Sequence, residues 1–137
     1  MVSEIIHKCF SKNNELTKVG SQIKINNIDQ LDDTLKGQII KHKQDILLAL
    51  ERDEQAIKAG LMVGISGTLY TWTVSLASTL YMEQINNTWY AWRETHQKGR
   101  LEAVSIKTIS NGKPFNVALT EAKKYMDYVS KFRRARN

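Results

Sequence analysis

Tyr70-Thr71-Trp72-Thr73-Val74-Ser75-Leu76 decides how the second half of this chain is read. Every even position is apolar and every odd position carries a hydroxyl. Period two marks a strand with one buried face, because successive side chains of extended backbone point to opposite sides. The stretch lies within Ala59–Met82, 24 residues without a charge and long enough on paper to span a bilayer. Seven Ser/Thr and three Gly dilute that apolarity, and the alternation favours a sheet. Gly60 and Gly64 form a Gly-x-x-x-Gly spacing, which carries weight only in a strongly apolar helix. No membrane association is expected.

On either side the pattern continues. Leu61–Ile65 reads as a strand joined to Tyr70–Leu76 at Ser66-Gly67. Residues 77–87 fit two periods: Leu76, Leu80 and Gln84 have helical spacing, whereas Thr79 and Tyr81 suit a strand. Asn86-Asn87 is a turn signal, and Thr88–Arg93 and Leu101–Ile109 read as strands. Asn111-Gly112 is the strongest two-residue hairpin signal, leading through Pro114 into Phe115–Val117. Residues 119–132 predict an amphipathic helix, with Ala122, Met126 and Val129 inward and Lys123, Lys124, Lys131 and Arg134 outward.

The first half differs. Residues 2–12 place Val2, Ile5, Ile6, Cys9 and Phe10 at helical spacing, ending at Asn13-Asn14. Two short alternating runs, Glu15–Val19 and Gln22–Asn26, flank Gly20-Ser21, a tight hairpin signal. From Leu31 the period turns helical through Leu35, Ile39, Ile46, Leu47 and Leu50. Asp29, Asp32 and Asp33 stand where a helix start favours anions, and Gly37 predicts a kink or break. The fold class is therefore α+β: a helix-hairpin-helix-helix module over residues 1–59, then an antiparallel sheet with a C-terminal helix over 60–137.

Charge divides the chain the same way. Residues 1–60 carry nine Lys/Arg and nine Asp/Glu, so the net charge of +6 comes from residues 61–137, with eleven against five. All three Trp, all five Tyr and two of three Phe lie there too. One cysteine, Cys9, excludes an internal disulfide and suits a reducing, cytoplasmic setting. His7, His42 and His96 lie far apart without ligand spacing, and no phosphate loop or nucleophile elbow appears. No catalytic residue, cofactor or metal is expected. The basic and aromatic residues are the one hint of a ligand: Trp89, Trp92, Arg93, Arg100, Lys123, Lys124, Arg133, Arg134 and Arg136 are the candidate partner-binding residues. Trp72 is expected in the core. Trp89 and Trp92 have opposite parity, so one faces in and one out; which does which stays open.

Residues 2–52 resemble the N-terminal docking domain of the TubC type. The likeness runs through Leu16, Gly20, the strand Gln22–Asn26, Leu31-x-x-x-Leu35, Ile39-Ile40-Lys41-His42-Lys43 and Asp45–Leu50. It departs at Asn26–Gln30, where that family usually carries a Pro or small residues. The resemblance implies a small αββαα protein-docking module, a type first recognised between megasynthase subunits and expected also in phage and plasmid proteins. Asn111-Gly112-Lys113, Phe115 and Leu119–Lys123 are loosely similar to small strand-strand-strand-helix domains of phage proteins. The expectation is a non-enzymatic protein-binding protein of a phage or mobile element, such as an anti-CRISPR that inhibits a host defence complex. The alternative is a nucleic-acid-binding accessory protein using the basic-aromatic surface. Homo-oligomerisation is compatible with either.

Overall fold

The computed structural model describes the backbone of residues 2–136 and the side chains of residues 2–132. It is α+β, with four α-helices, a two-stranded sheet and a five-stranded sheet. The chain forms two compact units, residues 1–55 with 65–68, and residues 56–64 with 69–137.

In the first unit, helix α1 (Val2–Ser11) ends because Asn13 takes a left-handed conformation (φ +61°). The Asn14 and Asn13 amides then return to the carbonyls of Cys9 and Phe10, at 2.9 and 3.0 Å, closing the last turn. Strands β1 (Leu16–Val19) and β2 (Gln22–Ile25) pair antiparallel, Val19 facing Gln22 across Gly20-Ser21. A 3-10 turn (Ile28–Gln30) leads to helix α2 (Asp33–Lys41), whose start is capped by Asp32 accepting from the Leu35 amide at 2.7 Å. The break before α3 (Lys43–Ala59) falls at His42, not at Gly37, which sits inside α2 with open space around it. A glycine on the solvent side of a helix weakens it without breaking it. Ile5, Cys9, Leu16, Leu31, Leu35, Ile39 and Ile46 make the core.

Asn14 is fully buried and acts as a brace. Its amide nitrogen donates to the Asn27 carbonyl at 2.8 Å, and its oxygen accepts from the Asn27 amide at 2.7 Å. The loop after the hairpin is thus tied to the end of α1. The turn at residues 65–68 is held as firmly: Asp53 accepts from the Gly67 amide (2.7 Å) and the Ser66 hydroxyl, and Arg52 Nε donates to the Gly67 carbonyl at 2.9 Å.

The second unit is a meander of β3 (Met62–Ile65), β4 (Leu69–Thr73), β5 (Ser78–Ile85), β6 (Thr88–His96) and β7 (Ala103–Lys113), followed by α4 (Phe115–Arg136). Residues 78–85, which fitted two periods, are a strand. It pairs with β6 across Asn86-Asn87, whose φ angles of +51° and +69° are those of a tight primed turn. Asn111-Gly112 makes no hairpin. Only Gly112 has positive φ, and it lies in a register shift of β7 opposite Trp89–Ala91, so the glycine serves a β-bulge. Pro114 forbids a return strand because it has no amide to give to a ladder. Its carbonyl instead accepts from Ala118 at 3.0 Å, and α4 starts at Phe115 rather than at residue 119. Strand β4 likewise stops at Thr73, leaving Leu76 fully exposed in the following turn.

Tyr70, Leu80, Met82, Trp89, Ala91, Ala118, Ala122 and Met126 fill the core between sheet and helix. Tyr70, Trp89 and Phe115 form its aromatic centre, with Trp89 and Phe115 edge-to-face at 4.9 Å. No described helix is long and apolar enough to cross a membrane.

Candidate functional site

Strand alternation sorts the residues of the second unit into two chemical faces. On the inner face, toward α4, stand Trp72, Leu80, Met82, Trp89, Ala91, Arg93 and, opposite Arg93, Lys107. On the outer face stand Thr71 and Thr73 of β4, Thr79, Tyr81 and Glu83 of β5, Tyr90, Trp92, Glu94 and His96 of β6, and Ile106 and Thr108 of β7.

Trp92 therefore faces outward, and Trp89 is a core residue only 3% exposed. The expectation that Trp89 meets a partner is corrected: its indole is consumed by Tyr70 and Phe115. Trp72 is partly buried against the same core. Arg93, the other neighbour of Trp92, also points inward. Its guanidinium donates to Tyr125 Oη at 2.8 Å and to Ser78 Oγ at 3.1 Å, and Ser78 in turn meets Thr95 Oγ1 at 2.8 Å. The Lys107 ammonium lies 5.2 Å from the centre of the Tyr125 ring. Arg93 thus fastens α4 to the sheet, a structural task, and the half-buried guanidinium is not presented as a free contact.

Lys123 and Lys124 are exposed on α4, Lys123 paired with Asp127 at 2.9 Å. Arg100 is exposed in the turn between β6 and β7. The side chains of Arg133, Arg134 and Arg136 lie outside the described residues. Among the described residues Arg93, the candidate cation next to Trp92 in sequence, points away from it, because a residue next to an outward Trp on a strand must point the other way.

What Trp92 does meet was not read from the sequence. Its ring stacks on Tyr81, with centroids 5.5 Å apart and planes at 22°, and Nε1 donates to Glu94 Oε2 at 2.7 Å. Glu94 Oε1 lies 3.2 Å from His96 Nε2. The i, i+2 spacing of Trp92, Glu94 and His96 was the available signal. Among the described residues no group of three or more His, Cys, Asp or Glu is placed to hold a metal ion. Cys9 is fully buried in the first unit, and loss of hydration pushes its thiol pKa up, away from the reactive thiolate.

Comparison of the chain with protein-family models, with curated proteins and with solved structures gives no match.

Proposed function

We propose that the protein is non-enzymatic and works by contacting another protein, with the outer sheet face of its second unit as the contact surface. One observation carries this reading: the outward aromatic pair Tyr81–Trp92 shares its face with Glu83 and Glu94, while Arg93 and Lys107 point to the other side. Binding of single-stranded nucleic acid combines base stacking with cations along the same groove. Here a base on Trp92 would bring its phosphates toward carboxylates. An aromatic anchor ringed by polar residues suits a protein interface. The resemblance of residues 2–52 to a docking module supports the same class. The expectation that such modules also serve phage and plasmid proteins extends the proposal to a mobile-element role, of which inhibition of a host defence complex, as by an anti-CRISPR, is one concrete form.

Affinity capture from bacterial lysate, with and without nuclease, tests the reading. Protein retained after nuclease treatment and lost with Trp92→Ala is the expected result. Retention that nuclease abolishes, or that Lys123→Glu/Lys124→Glu removes while Trp92→Ala does not, would overturn it in favour of nucleic acid held by the helix side.

A further inference from the structure

A solvated sheet face usually mixes both signs of charge. The outer face of β4, β5 and β6 holds no Lys or Arg: its outward positions are Glu83 and Glu94, the aromatics Tyr81, Tyr90 and Trp92, several threonines, Leu69, Ile85 and, as the one group able to take positive charge, His96 beside Glu94. In a chain with six more basic than acidic residues, the face of this sheet turned away from α4 is acidic and aromatic. We infer that this face recognises a cationic side chain, an arginine carried by a segment of a partner protein.

Two features make arginine the fitting guest. The Trp92 indole is fixed, stacked on Tyr81 and hydrogen-bonded to Glu94 Oε2, so its ring and the carboxylate are held side by side before any partner arrives. Glu94 Oε1 meets His96 Nε2 at 3.2 Å, a contact that a guest guanidinium would share or displace. A planar guanidinium stacks on an aromatic ring while its N–H groups bond a carboxylate, which lysine's compact, strongly hydrated ammonium does less well. Glu83 lies two residues along from Tyr81 on the same face, opposite Tyr90, and has no ion-pair partner among the described residues. It supplies a second carboxylate for a second basic residue. Phosphate is the wrong guest on charge alone. The inference rests on the protein-contact reading above and adds the chemistry of the partner.

The test uses the full chain, labelled with nitrogen-15, and an oligo-arginine peptide as probe. The three Trp indole signals report separately, and Trp92→Phe identifies the one that matters. The Trp92 signal is expected to move with oligo-arginine, less with oligo-lysine, and not with oligo-glutamate. Glu83→Gln/Glu94→Gln should weaken oligo-arginine binding about five- to tenfold, the size of one charge-assisted or cation–π contact, and Trp92→Leu comparably. Lys123→Glu should leave it within about twofold, being on the helix side. Unmoved Trp72 and Trp89 signals in the variants show that the fold is kept. No response at Trp92, or one that survives both carboxamide substitutions, overturns the inference. So does Trp92-dependent self-association, which would make a second copy the occupant. If oligo-arginine fails while nuclease-resistant, Trp92-dependent protein capture persists, only the arginine assignment falls.

Discussion

Replacing Gly67 by alanine adds one methyl group where two separate physical effects oppose it. The residue has φ +78°, and the new Cβ would lie 2.6 Å from Ala49 Cβ and 3.1 Å from Ala49 Cα. The left-handed conformation costs an L-residue about 1–2 kcal/mol. Overlap with a buried helix backbone adds about 1–3 kcal/mol, because α3 cannot yield as a flexible side chain would. Moving the turn aside offers no escape, since it would break the bonds from Asp53 and Arg52 to Gly67. The loss is therefore about 2–5 kcal/mol, and with a urea slope of about 1–3 kcal/mol per molar the midpoint should fall by about 1 M or more. Two alanine controls separate the effects. Gly20 also has positive φ (+61°) but no atom within 4 Å, so Gly20→Ala should show the conformational cost alone. Gly37 sits in α2 with equally open space and ordinary helical backbone, and Gly37→Ala should stabilise by about 0.5–1 kcal/mol. Equilibrium urea unfolding followed by circular dichroism measures all three. A Gly67→Ala loss no larger than that of Gly20→Ala would refute the packing of this turn on Ala49.

Asn14→Leu should destabilise by about 2–4 kcal/mol in the same assay, because the Asn27 amide and carbonyl lose their partners; a loss under about 0.5 kcal/mol would mean that the brace is replaceable. Trp89→Ala should cost about 3–5 kcal/mol as a core cavity, whereas Trp92→Ala should cost about 1 kcal/mol, the worth of a cross-strand aromatic pair; equal costs would contradict the two-faced sheet. Cys9 should resist iodoacetamide in the native protein and react at the ordinary rate in urea, since burial both hides the sulfur and raises its pKa. Prompt native labelling would contradict its burial.

The α+β class was legible from period alone: Tyr70–Leu76 declared the sheet, and of the stripe Leu31, Leu35, Ile39, Ile46, Leu47 and Leu50 all but the partly buried Leu50 are buried, although Leu31 lies in extended backbone before α2 and not in a helix. What went astray went astray at turns. Asn111-Gly112 is the stronger hairpin signal locally, yet the hairpin formed at Asn86-Asn87, because a turn also needs a second strand able to pair. Residues 88–96 provide one and Pro114 denies the other. The same reasoning explains the early start of α4. Local propensity at Phe115–Val117 suits a strand, but with no ladder to join, the helix extends back to the proline. Asn13 and Asn14 read only as a helix stop, and the brace to Asn27 depends on a fold that brings residues 13 apart in sequence together.

For the site, composition misled where parity informed. Basic and aromatic residues crowd the same half of the sequence, and proximity along a chain suggests one mixed surface. A strand separates neighbours, however: Trp92 and Arg93 are adjacent in sequence and opposite in space. The residues that share a face with Trp92 are its i+2 neighbour Glu94 and its cross-strand partner Tyr81, the second visible only once the β5–β6 register is known. Since register follows from the Asn86-Asn87 turn, one tight turn determines which chemistry surrounds the outward tryptophan. A one-residue change in that turn's length would shift the pairing, take Tyr81 out of line with Trp92, and remove the stack while leaving the sequence of both strands untouched. The candidate surface is therefore a property of the hairpin register and not of the residue content of the C-terminal half.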